Sequence, residues 1–493
     1  MDQPVPDSAM SNWLPEAPRP VEAPVPVGTR VILDASARFL DRDFLTGGSP
    51  WRLLRLPGGS RAVAERWREG DVVQAGEERF ARTLVQQGLL HPVVHEMVDL
   101  DDVDVVVPVR DDVASLRALL GQLSRLHVTV VDDGSSDPDS IERCAQEFDT
   151  QFIRLRVNAG PGAARNAGVF ATSRPLLWFI DVDVTLDSPL DTLHRLAGPL
   201  GDPLVAATAP RITGAGGTSV RDRFERRFGA LDMGPASALV VPGGIVGYVP
   251  SACLLVRRAA FGEGFDEALR TGEDVDLVWR LHDRGWLVRY NAEVVVAHRA
   301  RGDWRQWWDQ RVGYGASTSD LAKRHGTRLA PLRADAWTLI AWSSALVGRP
   351  MIGARILRVA RDQMRVRVAA HAERPGEVAN ALVARGMLRA GVPLARSVIR
   401  TFGAAVLVSA LHPRLRRQAL LLFVVGTVAR GRSVRMRVDE VPVAVADDLA
   451  YGVGVAKGAW RSRSLATLRP QITKSSIRAA DLLGRRPRLG STG

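Results

Sequence analysis

The sequence predicts an α/β protein with a doubly wound, mostly parallel sheet, a small N-terminal module and a helical C-terminal region. From residue 103 onward, short apolar runs alternate with stretches of helical spacing, which is typical of a parallel sheet covered by helices on both faces. After about residue 330, longer apolar runs of helical character replace this alternation. A chain of 493 residues also exceeds what one compact core holds, so several domains are expected.

The composition excludes several classes of protein. Hydrophobic residues make up 46% and charged residues 24%, which excludes wholesale disorder and fibrous repeats. The two cysteines, Cys144 and Cys253, cannot form a disulfide framework and indicate a reducing compartment. The first thirty residues contain prolines and acids where a signal peptide needs a basic start and an apolar run. We therefore expect a cytoplasmic protein.

The charge is concentrated near the C-terminus. The net charge is +12, but residues 391–493 carry +13 and the first 390 residues carry −1. The apolar runs at 336–347, 404–411 and 419–429 are interpreted as buried helices of a small bundle, and residues 419–429 are too short to span a bilayer. The alternative is peripheral contact with the inner face of the cell membrane through the basic region. Nucleic acid is not expected as a partner, because this region has few interleaved aromatic residues.

Four regions are predicted along the chain. The first is a proline-rich arm without a periodic apolar face, expected to be disordered. The second has β-like runs at 31–33 and 51–56 and helical stretches at 60–68 and 76–87, which suggest a winged-helix-like module. A cluster of aspartates then opens the central domain, and a helical, basic region follows it. The predicted bounds of the four regions are 1–27, 28–98, 99–325 and 326–493.

Strands and helices of the central domain can be assigned from the apolar pattern. The predicted strands are 103–107, 128–131, 152–157 and 176–180, and the helices between them are 113–126, 138–148 and 163–172. Doubly wound sheets bind ligands at the carboxyl ends of their strands. The residues that follow each strand are therefore the first candidates for a site.

Polar residues follow the first two predicted strands. The first strand leads into Val-Pro-Val-Arg-Asp, which contains Pro108 and Arg110. The second ends in Asp132 and Asp133, followed by Gly-Ser-Ser-Asp. This carboxylate pair can accept hydrogen bonds from a nucleoside base and from ribose hydroxyls. The alternative is an ordinary turn in which Asp137 caps a helix.

The next two strands lead into a glycine-rich helix start and a second acid pair. Residues 160–166 read Gly-Pro-Gly-Ala-Ala-Arg-Asn, where the helix start favours an anion and Arg165 supplies a fork of donors. Asp181 and Asp183 follow the fourth strand, and residues two apart in an extended segment point the same way. Such a pair can bind Mg²⁺ or Mn²⁺ together with phosphate oxygens, or it is a solvated strand end.

A third acidic motif opens an amphipathic helix. Residues 270–274 read Arg-Thr-Gly-Glu-Asp, so that Glu273 and Asp274 lie in the first turn. One interpretation is that these carboxylates complement the helix dipole. The other is that one of them is a general base that deprotonates an acceptor hydroxyl.

Taken in this order, the five motifs resemble those of family-2 inverting glycosyltransferases of the GT-A fold, over about residues 103–320. The resemblance implies a nucleotide-sugar donor and a Mg²⁺ or Mn²⁺ cofactor. Matched by motif, Asp133 with Arg165 would hold the nucleoside base, Asp181 the ribose or sugar, Asp183 the metal, and Asp274 would be the catalytic base. Pro108, Arg110, Asp132 and Glu273 are assigned to substrate binding on the same ground.

The region after the last motif lacks the Gln-x-x-Arg-Trp signature of the processive members. Trp304, Trp307 and Trp308 fall on one helix face, where they could stack on sugars or pack in a core. Trp307 and Arg311 are retained as candidate substrate-binding residues. By similarity, His298 is a candidate metal or phosphate ligand; the alternative is a histidine whose hydrogen bonds are satisfied within the fold.

The layout is also similar to that of the glycosyltransferases of mycofactocin biosynthesis, which act on a peptide-derived redox cofactor. This similarity implies transfer of glucose, in a β-1,4 chain, from UDP-glucose to a peptide-derived premycofactocin acceptor. Residues 28–98 resemble winged-helix elements that bind precursor peptides. The alternatives are a hexosyltransferase for polyprenyl phosphate or a cell-envelope glycan, and a non-enzymatic sensor of nucleotide sugars.

Overall fold

The computed structural model describes residues 18–473, apart from residues 42, 57, 95–96, 300–301 and 429–435. The chain divides into two compact units. The first unit comprises residues 1–38, 46–54 and 59–302, and the second comprises residues 39–45, 55–58 and 303–493.

The N-terminal module has more strands than predicted. Its elements are β1 (Val31–Leu33), β2 (Arg38–Leu40), β3 (Phe44–Gly47), β4 (Arg52–Arg55), α1 (Ser60–Arg68), α2 (Glu78–Gln86) and β5 (Leu90–Pro92). β1 pairs with β5 in antiparallel fashion, and β2, β3 and β4 form a three-stranded sheet. The predicted runs and helices of this module are confirmed with small shifts at their ends, whereas β2 and β3 were not predicted. The winged-helix likeness stays a prediction.

The prediction of a disordered arm over residues 1–27 is wrong for residues 18–27. Val25 is buried at 2% exposure, and Trp286 Nε1 donates to the carbonyl oxygen of Pro18 at 2.8 Å. Arg82 Nε donates to the carbonyl oxygen of Ala23 at 2.6 Å. Backbone carbonyl groups remain acceptors even where proline removes donors, so side chains can hold a segment that has no apolar period. Residues 1–17 lie outside the described residues.

The central domain alternates strands and helices as predicted. Its strands are β6 (Val103–Val109), β7 (His127–Asp133), β8 (Gln151–Leu155), β9 (Leu176–Ile180), β10 (Val184–Thr185), β11 (Val205–Gly214), β12 (Ala238–Leu239), β13 (Cys253–Arg257) and β14 (Leu287–His298). Its helices are α3 (Val113–Gln122), α4 (Pro138–Glu147), α5 (Pro161–Phe170), α6 (Pro189–Ala197), α7 (Val220–Phe228), α8 (Arg258–Phe261) and α9 (Glu273–Asp283).

The nine strands form one sheet in the order β10-β14-β11-β13-β9-β6-β7-β8, with β12 paired to β14. β6 runs parallel to β7 and β9, and β7 runs parallel to β8. The predicted α/β fold class with a mostly parallel sheet is therefore confirmed. The carboxyl ends of β6, β7 and β9 lie at one edge, and β13, which is antiparallel to β9, begins at that edge.

Local sequence explains how the chain turns at this edge. Asp112 and Asp137 cap α3 and α4 by accepting from the amides of Ser115 and Ser140, so the predicted cap at Asp137 is confirmed. Gly134 has φ +66°, and a Cβ there would lie 2.5 Å from the amide nitrogen of Asn158. Only glycine fits this turn, which holds the loop after β7 against the loop after β8.

The second unit is mainly helical, as predicted. Its elements after residue 303 are α10 (Trp304–His325), β15 (Arg333–Asp335), α11 (Ala336–Leu346), α12 (Pro350–Val368), α13 (Pro375–Ala410), α14 (Arg416–Val428), α15 (Val441–Arg461) and β16 (Gln471–Thr473). The predicted boundary at residue 325 is one helix too late, because α10 packs closely on α15. A Cβ on Gly315 would lie 2.1 Å from the carbonyl oxygen of Tyr451, so the two helices meet through glycine. Residues 474–493 of the basic region lie outside the described residues.

Within the described residues, α13 is long and apolar enough to cross a membrane by length and composition. Its most apolar window has a mean hydropathy of 1.3 and is 22% buried. Core helices of soluble proteins meet the same criteria, so this property alone does not establish a span.

Candidate active site

Asp133 closes the carboxyl end of β7 and holds the start of α5. Its carboxylate accepts hydrogen bonds from the amide of Ala159 at 2.6 Å and from the amide of Gly160 at 3.0 Å. Burial raises the pKa of Asp133, and these two amides partly offset that rise. The glycine-rich helix start is thereby fixed to the end of the neighbouring strand.

Asp132 presents an unsatisfied acceptor at the same edge. The residue is fully buried, and its Oδ1 accepts from the amide of Ser135 at 3.0 Å. Its Oδ2 is buried and has no hydrogen-bond partner among the described residues. A buried acceptor without a donor costs free energy, so this oxygen is suited to a donor that a ligand supplies.

The loop after β6 is tied to the loop after β7. Asp111 adopts a left-handed backbone with φ 58° and accepts from the amide and hydroxyl of Ser136 at 2.7 and 2.8 Å. Arg110 lies beside it, with its side chain about half exposed, and Pro108 pairs with Val131 across the two strands. Both predicted residues of the first motif therefore lie at the candidate edge.

Arg165 is the centre of a buried ion network. Its Nη1 donates to Glu273 Oε1 at 2.9 Å and its Nη2 donates to Asp181 Oδ1 at 2.5 Å, while its side chain is only 3% exposed. Burial by itself would lower the pKa of the guanidinium, but the charges of Asp181 and Glu273 raise it above its usual range. Arg165 therefore bridges two other motifs, and its assignment with Asp133 to the nucleoside base stays a prediction.

Asp274 lies at the start of α9 and is partly exposed to solvent. Gly272 takes the left-handed N-cap position with φ 87°, which lets the chain turn directly into the helix. Asp274 Oδ1 accepts from the amide of Val275 at 2.7 Å. Burial and the neighbouring charge of Glu273 raise the pKa of Asp274 to about 7. A carboxyl group that titrates near neutrality can accept a proton in catalysis.

Asp181, Asp183 and His298 form a cluster in which one ligand atom of each lies within 4.8 Å of the others. Antiparallel pairing of β10 with β14 sets Val184 opposite His298 and so brings the histidine to the acid pair. His298 Nε2 lies 3.1 Å from Asp183 Oδ1. Two carboxylates and an imidazole are a donor set that suits Mn²⁺, and the carboxylates suit Mg²⁺.

These groups form one connected site. Asp183 shares its cluster with Asp181, Asp181 is bound by Arg165, and Arg165 binds Glu273, the neighbour of Asp274. The catalytic and metal candidates are therefore linked by a continuous chain of contacts that runs through Arg165. Such a site can hold an anionic ligand near a cation and present a base beside it.

Comparison with known proteins identifies the family. The family model described as glycosyl transferase family 2 matches residues 104–265. The pre-mycofactocin glycosyltransferase of Mycobacterium tuberculosis is 35% identical over 468 residues, which cover 91% of this chain and 98% of that protein. The chain belongs to glycosyltransferase family 2. Its sheet agrees with the GT-A fold that the sequence resemblance implied.

Two further proteins are similar to smaller or more distant parts of this family-2 glycosyltransferase. An N-acetylglucosaminyl-diphospho-decaprenol L-rhamnosyltransferase of M. tuberculosis is 41% identical over 128 residues, covering 24% of this chain and 40% of that protein. Among solved structures, a mannosyltransferase from Pyrobaculum calidifontis in complex with GDP-Man and Mn²⁺ is 18% identical. It covers 67% of this chain and 86% of its own, with a TM-score of 0.36.

In this family-2 glycosyltransferase, Trp307 and Arg311 are parts of the helical second unit. Trp307 is 1% exposed, and the guanidinium of Arg311 lies over its ring at 5.0 Å. Arg311 Nε also donates to Asp447 Oδ1 at 3.0 Å, in a pair buried between α10 and α15. A ring covered in this way has no face for a sugar, so core packing explains the tryptophan spacing at Trp307. Arg311 is likewise engaged in holding α10 to α15.

Sequence reasoning missed one positively charged residue of the candidate site. Arg270 donates from Nη1 to Asn158 Oδ1 at 3.0 Å and from Nη2 to the carbonyl oxygen of Asn158 at 2.9 Å. A Cβ on Gly160 would lie 2.8 Å from Arg270 Nη1, so glycine leaves room for the guanidinium. The sequence signal that could have identified Arg270 is its position two residues before the Gly-Glu-Asp motif. Its partner Asn158 could not be predicted, because it lies more than a hundred residues away in the sequence.

Proposed function

We propose that the chain is an inverting hexosyltransferase that moves glucose from UDP-glucose to a hydroxyl of a peptide-derived premycofactocin acceptor, building a β-1,4 chain. One observation carries the chemistry: Asp274 follows Glu273, and Arg165 ties Glu273 to Asp181 of the acid cluster. The acceptor class is taken from the relative that matches 91% of the chain.

Donor binding is assigned to the ends of β7 and β9 and the start of α5. The unpartnered Oδ2 of Asp132 would accept a hydrogen bond from an N–H of the nucleoside base. Asp183 and His298, with Asp181 beside them, would hold Mg²⁺ or Mn²⁺, and a bound ion would offset the negative charge of the leaving diphosphate. Arg110 and Arg270 supply further positive charge near Asp133.

Acceptor activation is assigned to Asp274. The hydroxyl oxygen of the acceptor forms a bond to the anomeric carbon as the bond to the diphosphate oxygen breaks, and the hydroxyl proton passes to Asp274. Attack from the face opposite the leaving group inverts the configuration. The charge of Glu273 keeps Asp274 basic enough for this step, while Arg165 fixes Glu273 in place.

The N-terminal module, residues 28–98, is assigned to recognition of the peptide-derived acceptor or of its precursor. Its strands β2, β3 and β4 form a separate small sheet that can offer a docking edge. Removal of residues 18–94 is unsuitable as a test, because residues 18–27 belong to the first unit and are packed against the rest of it. Cross-linking of the intact chain to a photoreactive acceptor peptide, followed by mapping of the adduct, tests the assignment directly.

A product assay tests the function. The purified chain is given UDP-glucose and Mn²⁺ with either the premycofactocin acceptor or a polyprenyl phosphate, and products are identified by mass spectrometry. We expect hexose additions on the peptide-derived acceptor alone. Hexosylation of polyprenyl phosphate alone would favour the second candidate, for which the partial match to the decaprenol-linked rhamnosyltransferase is the supporting observation.

Chelation tests the metal. EDTA should abolish turnover, and Mn²⁺ or Mg²⁺ should restore it. Asp183→Asn should weaken binding of Mn²⁺ measured directly by titration, whereas Asp187→Asn, two residues beyond β10, should not. Full activity in EDTA would remove the metal from the mechanism.

A further inference from the structure

The hairpin formed by α13 and α14 is packed on its inner side. Ile399, Val406 and Ala419 form a buried cluster, and Leu422 and Phe423 pack against it. These contacts join the two helices to each other and satisfy the apolar face that a hairpin needs in order to fold. The residues that point outward from the same hairpin are therefore not needed for this core.

The outer side of the hairpin tip, residues 404–425, is also apolar. On α14 the outward residues fall at positions i, i+1, i+4 and i+5, which is one helix face. The exposed apolar residues of the tip are Leu407 (39%), Val408 (67%), Leu411 (77%), Leu415 (48%), Leu420 (55%), Leu421 (42%), Val424 (58%) and Val425 (39%). A helix at the surface of a soluble protein would carry polar side chains at these positions.

Positive charge accompanies this apolar surface. Arg414, Arg416 and Arg417 are exposed around the turn between the two helices. The sequence has no Asp or Glu from residue 378 to residue 438. Arginine side chains can keep the guanidinium at the level of lipid phosphates while neighbouring leucines and valines enter the acyl boundary.

We propose that the hairpin tip is a membrane-docking surface that inserts its outer apolar face into the headgroup region of an anionic lipid bilayer. The tip joins the two signals that stable peripheral attachment requires, namely apolar area and basic charge. This places the attachment in residues 404–425 rather than in the basic region as a whole. The inference is independent of which sugar or acceptor the enzyme uses.

Vesicle flotation with the full chain tests the proposal. We expect the protein to float with vesicles of phosphatidylcholine and phosphatidylglycerol, and to bind vesicles of phosphatidylcholine alone much more weakly. Leu411→Ser combined with Leu420→Ser and Val424→Ser should abolish flotation. Replacing Arg414, Arg416 and Arg417 by Gln should lower partitioning onto the anionic vesicles about a hundredfold. Binding should be released by alkaline carbonate, because the attachment is peripheral.

Matched variants separate docking from misfolding. Val21 and Met97 are exposed at 81% and 80%, outside the second unit, and their replacement by Ser should leave flotation unchanged. Circular dichroism and UDP-glucose binding of every variant should equal those of the parent chain.

Four results would overturn the proposal. The first is no flotation of the parent chain, and the second is equal flotation of the hairpin and control variants. The third is a dimer, seen by light scattering, that the serine variants dissociate, since a second copy would then cover the face. The fourth is retention after alkaline carbonate, which would indicate a membrane span.

Discussion

Arg165 organises the candidate site at the scale of single residues. Its two terminal nitrogens bind carboxylates of different motifs. Nη2 binds Asp181, which follows β9, and Nη1 binds Glu273 at the start of α9. The guanidinium and Glu273 are almost fully buried, whereas the Asp181 side chain is 27% exposed, so the pair with Glu273 is the one that water reaches least. Arg165 therefore both joins the two motifs and supplies the positive charge that balances their carboxylates.

Replacement of Arg165 by Met should destabilise the protein by about 3 kcal/mol, because the buried Glu273 and the partly buried Asp181 lose the guanidinium that pairs with both. It should also raise the pKa of Asp274, whose charged form Arg165 favours. Thermal and urea unfolding measure the first effect. Arg117→Met is the control, since Arg117 forms an exposed pair with Glu147, and its loss should leave the stability nearly unchanged. Equal stability of the two variants would contradict the role of Arg165.

The pH dependence of turnover should report Asp274. A general base must be unprotonated, so kcat/KM should rise about tenfold per pH unit below a midpoint near 7 and level off above it. Glu273→Gln removes a neighbouring negative charge, and the midpoint should therefore move to lower pH. Initial rates over the pH range measure both. A midpoint near the ordinary aspartate value in the parent enzyme, or no shift in Glu273→Gln, would refute the assignment.

At the scale of residues, the sequence predicted which side chains lie near one another at the candidate site. It did not predict which of them form ion pairs. Asp132, Asp181 and Asp183 could be placed because each follows a buried apolar run, and parallel strands end at a common edge. The bridge from Arg165 to Glu273 could not be predicted, since it depends on how α9 returns to that edge. The buried position of Trp307 depends likewise on α15, which is distant in sequence.

At the scale of elements, periodicity predicted the parallel half of the sheet well. Strands β6 to β9 and helices α3 to α5 lie where apolar runs and helical spacing indicated. The strands β2 and β3 escaped prediction because they are short and carry few β-branched residues. The antiparallel strand β13 was not predicted, because its pairing with β9 joins residues that are far apart in the sequence.

The close contact of α10 with α15 gives a matched pair of glycine variants on one helix. Gly315→Ala should destabilise the second unit by a few kcal/mol, because its Cβ would lie 2.1 Å from the carbonyl oxygen of Tyr451. Gly313→Ala has nothing within 4 Å of its Cβ and should stabilise the helix by about 0.5–1 kcal/mol. Denaturant unfolding distinguishes the two. Equal effects would show that the helices can separate without cost.

At the scale of the whole molecule, the chain combines two units with different composition. The predicted boundary was drawn after α10 because the sequence gives no sign that this helix belongs with α15. The net charge also differs between the two units, since residues 391–493, all in the second unit, carry the entire positive excess. The first unit holds every residue of the candidate active site described above.

Thermal unfolding should therefore show two transitions. UDP-glucose with Mn²⁺ should raise only the transition of the first unit, by mass action on its folded state. Gly315→Ala should lower only the other transition. Calorimetry of the parent chain and of this variant provides the measurement. A single transition that shifts as a whole under both changes would show that the two units unfold together.

Asp274→Asn tests most directly whether one carboxyl deprotonates the acceptor at a site that binds the donor independently. Asp139→Asn is the control. Asp139 also lies in the first turn of a helix, and the interaction with the helix dipole is what it has in common with Asp274. Turnover and the Kd for UDP-glucose are measured for both variants. We predict that Asp274→Asn lowers kcat by about a hundred- to ten-thousand-fold with the Kd within a few-fold, and that Asp139→Asn changes neither. Retained turnover in Asp274→Asn, or a loss of donor binding as large as the loss of turnover, would contradict the assignment.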